Sequence, residues 1–381
     1  MLKMDLLGFG RLDTSLRLYL SLMVAMLVVP IAASAQHPIF KGYENLFTPP
    51  LNYVVYRTTS AVKVDGHLND KAWEAAAWTE KFIDIEGSLK PAPRLETKVK
   101  MLWSDSCLYI AAELKEPHVW ASLQKHDAIV FHDNDFEIFI DPDNNTHQYF
   151  EIEVNALNTI FDLFMAKPYR NKSSAMIGWN TEGLRSAVQI QGTLNNPTDT
   201  DKGWTVEMAI PFQAVSLGNS ASIPTEGTLW RLNFSRVEWD TSIENGRYVI
   251  KTNAKGKKLP EHNWVWSPQG VINMHFPERW GYLQFSKKAS GTVSFALPYS
   301  EKQKEFLWAI YYQQKKHYQQ HKRYAPSLSE LGLESLVQVG GQANKLTLEV
   351  SSRQFLATIK GQAAGKCWQI DQDGLVQVCE E

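Results

Sequence analysis

Asp135-Phe136-Glu137-Ile138-Phe139-Ile140-Asp141-Pro142-Asp143, answered by Gln148-Tyr149-Phe150-Glu151-Ile152-Glu153-Val154-Asn155, is the stretch that decides the fold. Both runs alternate with period two, the mark of half-buried antiparallel strands. Phe136, Ile138 and Ile140 share one face, as do Phe150, Ile152 and Val154. The turn-rich segment Pro142–His147 joins the runs as a hairpin, and the apolar residues meet only if even positions oppose even ones. A natural register sets Glu137 against Glu151 and Asp135 against Glu153. Like charges directly opposite each other on a sheet repel. Something positive or hydrogen-bonding is therefore expected over that face.

The rest of the chain bounds what this can be. At 381 residues it has room for about two or three domains. Hydrophobic residues make up 44% and charged ones 21%, which predicts a packed core. A net charge of −2 argues against a nucleic-acid binder that works by neutralising phosphates. Thirteen Trp, fourteen Tyr and seventeen Phe supply rings for the core and for flat ligands such as sugars. Lys3, Arg11 and Arg17 precede the apolar run Leu18–Ile31, and Ala33-Ser34-Ala35 completes an export signal over residues 1–35. The run is short for a span of about 20 residues, so the expectation is cleavage that leaves Gln36 first. The mature chain then has no transmembrane segment and sits in the periplasm, at the outer membrane or outside the cell. Cys107 lies in an apolar strand and reads as a buried thiol. Cys367 and Cys379 flank a hairpin whose loop Gln372-Asp373-Gly374 pairs Asp371 with Leu375. Counting outwards sets the two cysteines opposite each other, where an oxidising compartment allows a disulfide.

Ten strands with turn signals between them are expected from Tyr53 to Phe285, beginning at Tyr53–Arg57 and ending at Gly281–Phe285. Many short strands at regular spacing predict a mainly β domain over 53–286, an antiparallel, jelly-roll-like β-sandwich, after a leader at 36–52. Short helices are expected after Asn69 and at Pro211–Val215. A connector covers 287–300, and a small α+β unit follows over 301–381. It comprises a helix at Glu301–Arg323 and strands near Leu346–Val350, Phe355–Ile359 and the Cys367–Cys379 hairpin. This last unit loosely resembles the periplasmic part of a pilin subunit, which implies a cell-envelope protein as its docking partner and, as the alternative function of the whole chain, a structural or assembly protein of the cell envelope with the sandwich as scaffold.

Four motifs in order carry a stronger resemblance. They are Val62-Lys63-Val64-Asp65-Gly66-His67-Leu68-Asn69-Asp70-Lys71-Ala72-Trp73, Val99-Lys100-Met101-Leu102-Trp103-Ser104-Asp105, the Asp135–Asp141 strand, and Trp280-Gly281-Tyr282-Leu283-Gln284-Phe285. Together they resemble the family 9-like carbohydrate-binding modules of exported bacterial proteins, over about 230 residues. The resemblance implies a β-sandwich, a non-catalytic role in carbohydrate catabolism, and a poly- or oligosaccharide as ligand. It also implies a sugar held between two rings with a Glu and an Arg on its hydroxyls, and calcium ions bracing nearby loops. By position the Glu falls on Glu137 and the first ring on Phe131. The Arg falls on Glu153, which reverses the charge. The second ring belongs between Trp266-Ser267 and Trp280-Gly281, where the chain has Met274-His275-Phe276-Pro277.

A sugar site joins aromatic walls to a few placed polar groups. Phe131, Trp179, Trp264, Trp266 and Trp120 fall in loops or at strand ends, whereas Trp73 and Trp103 read as core. Asp133, Asp135, Glu137, Glu151, Glu153 and Asn155 supply acceptors. Three occupants of the acidic face stay open. Lys98 and Lys100 from one strand, with Arg231 and Asn233 from another, can neutralise it. Calcium is the second, on Asp141, Asp143 and Asn145 of an oxygen-rich turn. A sugar hydroxyl network is the third. Hydrolysis needs two carboxyl groups about 5 to 9.5 Å apart across a cleft; no motif here points to a cleft, so no enzyme and no required cofactor are expected. His118, His126, His132 and Asp133 fit no zinc spacing and read as loop residues.

Overall fold

In the structure, a computed structural model, the two alternating runs become the antiparallel strands Asp135–Asp141 and Tyr149–Asn155. Their register differs from the expected one by two residues. Glu137 faces Glu153, Asp135 faces Asn155 and Phe139 faces Glu151. The connection reaches through Gln148 and carries Asn144, Thr146 and Gln148 at positive φ, so it is longer than the Pro142–His147 turn. A shift of two preserves parity, and the faces stay as read. Phe136, Ile138, Ile140, Phe150, Ile152 and Val154 all enter one core. Both strands are buried along their whole length, not half-buried.

The description covers residues 37–218, 223–361 and 367–379, and the expected export signal lies outside the described residues. The chain divides into two compact units, Met1–Lys41 and Gly42–Glu381. In the first, the described part is a 3-10 turn at Pro38–Phe40, with Ile39 N–H donating to His37 Nδ1.

In the second unit a single sheet runs in the order Ile160–Met165, Tyr149–Asn155, Asp135–Asp141, Leu229–Glu238, Gly281–Ser286, Asn52–Arg57, Thr97–Trp103, Cys107–Lys115, Gly203–Pro211 and Arg185–Gln191. It curls so that both halves of its inner face share the core of Trp103, Trp204, Trp230, Trp264 and Trp266. This is the sandwich expected from the strand count, made from one sheet. It is mixed, because Asn52–Arg57 pairs parallel with both neighbours. The Trp280-Gly281 step has a steric reason: a Cβ on Gly281 would overlap the Trp266 indole. Cys107 is buried and free. Sequence reading missed the hairpin Thr241–Glu244/Arg247–Ile250 and the strand His262–Val265, whose polar residues break the alternation. Lys71–Ala75 is a 3-10 turn, and Pro211–Val215 forms no helix.

The helix Tyr299–His321 packs on a five-stranded antiparallel sheet, Leu336–Val339 to Val376–Val378. Cys367 and Cys379 are joined there by a disulfide, with Cα atoms 5.3 Å apart. The helix is buried on two sides. Tyr311 meets Phe355 of the small sheet, while Tyr312 donates to Glu278 beside the large one at 2.8 Å. Arg170 forks onto the same Glu278 at 2.7 and 3.0 Å. The turn after Asp141 is also part of this joint. Asn145 O accepts from Val376 N–H at 3.2 Å, and Thr146 Oγ1 donates to Gly374 O at 2.6 Å. No helix among the described residues is long and apolar enough to cross a membrane.

Candidate functional site

Odd-numbered residues of Asp135–Asp141 and of its partner strand point away from the core, so the hairpin presents Asp135, Glu137, Glu151 and Glu153 together on its other face. Ser235 joins them from the neighbouring strand, opposite Glu137. All five are buried. Asp135 Oδ2, Glu137 Oε2, Glu151 Oε2 and Ser235 Oγ have no hydrogen-bond partner outside this face. Buried polar groups are nearly always paired, and each exception calls for an explanation. Four on one face single it out as the candidate site.

The expected cations are elsewhere. Lys98 pairs with Glu113 at 3.3 Å, and Lys100 donates to Trp73 O at 3.0 Å. Arg231 bonds Asn144, Trp280 O and Tyr282. Asn233 is spent on Ser267 and on its own neighbour's backbone. Without a counter-charge, burial pushes the carboxyls up: Glu137 to about 7, and Asp135, Glu151 and Glu153 well above the ordinary range. Repulsion from Glu137 adds to the shift of the other three. At neutral pH part of this face is neutral carboxyl, able to donate as well as accept.

Rings border it. Phe131, half-buried, is tied to the site by its own N–H, which donates to Glu153 Oε2 at 3.0 Å, while its ring packs beside the face against the Trp120, Val237 and Trp239 cluster. His275 places Nε2 3.7 Å from Glu151 Oε2 and shares a 2.8 Å hydrogen bond with Tyr149 through Nδ1. Tyr169 packs edge-on to His275 with ring centroids 4.4 Å apart and is 45% exposed. Its hydroxyl is raised by burial and then by the charges of Glu151 and Glu153, which puts it at this face. His275 comes from the segment where the resemblance implied a second ring. Tyr169 follows an edge strand in Lys167-Pro168-Tyr169-Arg170, where no local pattern singles it out.

Other expected site residues are placed differently. Trp264 and Trp266 are buried in the main core, and Trp179 packs on Phe150 from that same side. None of the three can present a ring to the acidic face, because they lie on the other side of the sheet. Asp133 is consumed by Ser122, Leu123 N–H and Asn155, and Asn155 by Asp133, Leu123 O and the backbone of Leu157 and Thr159. These two hold a loop in place. The oxygen-rich turn is likewise filled from within the protein. Asp141 accepts from Asn144 and Thr146 N–H, Asn145 spans Asp143 and His147 N–H, and Lys304 reaches Asn144 O at 3.4 Å. Those donors shape the turn from within, each taking one of the two lone pairs of its oxygen.

Beyond the Val130–His132 turn lies a more open groove of about 900 Å³, lined by Trp120, His132, Asn195, Arg247, Tyr248 and Lys258. Trp120 Nε1 lacks a partner there.

Over 162 residues the chain is 28% identical to endo-1,4-beta-xylanase C of Paenibacillus barcinonensis, covering 42% of this chain and 12% of that enzyme. Over 224 residues it is 23% identical to endo-1,4-beta-xylanase A of Thermotoga maritima, covering 59% and 17%. The chain thus spans a small part of these relatives' length. A family 9 carbohydrate-binding module from Caldicellulosiruptor kristjanssonii, solved with cellotriose, is similar at TM-score 0.39 and 15% identity, over 65% of this chain and all of that one. Residues 64–266, just over half of the chain, match the family described as "Carbohydrate family 9 binding domain-like", and the chain belongs to that family.

Proposed function

We propose that this is an exported, non-catalytic carbohydrate-binding protein that takes a sugar at the acidic face. The observation that carries the reading is the set of four polar atoms without a partner outside the face, on Asp135, Glu137, Glu151 and Ser235, with Phe131, Tyr169 and His275 beside it. Sugar hydroxyls donate and accept at once, so they suit a mixture of carboxylate and neutral carboxyl. Aromatic rings cover the C–H faces of a pyranose. The carboxyls are buried, which favours one terminal sugar ring over the middle of a long chain. With Glu153 in place of an Arg, the site offers acceptors where the resembling modules offer a donor. The ligand orientation therefore differs from theirs. The xylanase relatives and the cellotriose complex make β-linked plant-wall oligosaccharides the first ligands to try.

The test is a glycan array and calorimetry with cello- and xylo-oligosaccharides on Gln36–Glu381, beside Glu137→Ala. Saturable binding lost in the variant supports the reading. No binding to any poly- or oligosaccharide sinks it.

A further inference from the structure

On the opposite face of the edge strand, away from the acidic site, three side chains converge that the sugar reading leaves unused. His126 Nε2 lies 3.4 Å from Asp127 Oδ1 and 3.7 Å from Asp162 Oδ1, and the three donor atoms all lie within 4.8 Å of one another. Asp162 pairs with Ile152 and so lies on the core side, whereas Glu153 pairs with Phe161 on the other. Asp162 is 2% exposed. Its Oδ2 accepts from Thr181 N–H, but Oδ1 has no hydrogen-bond partner, and neither has Asp127 Oδ1. The separations from His126 are too long for good hydrogen bonds. A buried carboxylate is normally paired, hydrogen-bonded or bound to a metal.

The spacing suits a shared ion. Ligands about 2.0–2.2 Å from a tetrahedral zinc stand about 3.3 Å apart, close to the 3.4 and 3.7 Å seen here. One imidazole with two carboxylates suits a zinc-class ion, whereas calcium and magnesium take oxygen alone. We propose that His126, Asp127 and Asp162 form a binding site for a divalent transition ion of the zinc class. Asn180 Oδ1 sits 2.8 Å from the same His126 Nε2. Without metal the ring donates to it; loading moves the ring proton to Nδ1 and leaves Asn180 Oδ1 beside the ion as a fourth ligand. The ion then ties residues 126–127 to the edge strand. Asp133 already holds Ser122 and Leu123 at the start of the same segment. That segment runs on into Phe131, so the metal would brace one wall of the sugar site from behind.

The experiment uses the full chain purified without an affinity tag, stripped with chelator, and titrated with ZnCl2, CaCl2 or MgCl2 by calorimetry and thermal unfolding. One zinc per chain should bind and raise the Tm, with calcium and magnesium much weaker. His126→Ala should lower zinc affinity at least ten-fold. Its side chain is 54% exposed, so this variant should keep the metal-free Tm of the parent. Asp162→Asn should lose the site as well. Absence of saturable zinc binding, zinc binding unchanged by His126→Ala, or calcium binding as tightly as zinc overturns the proposal. Zinc binding lost in Glu137→Gln but kept in His126→Ala would place the ion on the acidic face and overturn it too. Sugar binding is read separately, so failure of either reading leaves the other standing.

Discussion

Glu137 and Glu153 stand directly opposite each other in the hairpin, and among the described residues no cation forms an ion pair with either. Burial lets such a pair persist by keeping protons on it. Two ionised carboxylates at that separation in a poorly solvated face repel strongly, whereas a protonated and an ionised one do not. The face is therefore poised to change charge near neutrality.

Stability should fall as the pH rises above about 6.5. Burial pushes Glu137 up to about 7 and Glu116 up to about 8, against an ordinary 4.5. Between those values the unfolded chain binds fewer protons than the folded one, so stability present at low pH is lost as pH climbs through the folded pKa. His275 acts oppositely. Burial holds it down to about 4, so its contribution is lost as pH falls from about 6.5 towards 4. Above 6.5 the carboxyl groups dominate. The Tm should drop between pH 6.5 and 8, and Glu137→Gln should flatten that slope; a Tm that is level or rising there refutes the protonated face.

The rings should matter for affinity in a pattern that locates the sugar. Tyr169→Ala and Phe131→Ala should each weaken oligosaccharide binding by about 0.5–1.5 kcal/mol, a few-fold to ten-fold, as lost ring contacts do. Tyr248→Ala, in the open groove, should leave it unchanged. Calorimetry showing the reverse pattern moves the ligand to the groove.

Arg170→Ala should be among the most destabilising changes. Its guanidinium forks onto Glu278, whose side chain is 1% exposed, and Tyr312 donates to that same carboxylate. Removing one partner of a buried pair typically costs about 3–5 kcal/mol, because the other charge is left alone. Denaturant unfolding should show a loss of that order, and a loss below about 1 kcal/mol contradicts this account of the joint.

Deleting the chain from Lys287 onward should lower the Tm of what remains. The deletion strips Tyr312 from Glu278, Glu301 from Tyr282, and Val376 from Asn145. Thermal unfolding that matches the full chain would mean that the C-terminal unit is an independent module, free to dock a cell-envelope partner.

Much of the architecture was legible because period-two alternation is written in the strands themselves. The ten expected strands all form, within a residue or two at their ends. Parity came out right and register did not, for one reason. The apolar faces of Asp135–Asp141 and Tyr149–Asn155 penalise a one-residue slip severely and are nearly indifferent to a slip of two. The turn settles that choice through Asn144, Thr146 and Gln148 at positive φ and through contacts to Gly374 and Val376 more than two hundred residues away. The site split along the same line. Glu137 and Phe131, which the family resemblance implied, lie in one hairpin and the turn before it. Tyr169, His275 and Ser235 arrive from separate segments, and a long-range meeting leaves no trace in local spacing.

By itself, then, the sequence determined that the hairpin exists, which of its faces is apolar, and that carboxylates crowd the other. Alternation and side-chain chemistry are local properties. Tertiary structure alone decided that Lys98, Lys100 and Arg231 are engaged elsewhere, that Trp264 and Trp266 belong to the core, and that the turn after Asp141 docks the C-terminal unit. Each of those outcomes depends on which distant groups compete for the same charge, ring or hydrogen bond, and that competition is resolved only when the chain is folded.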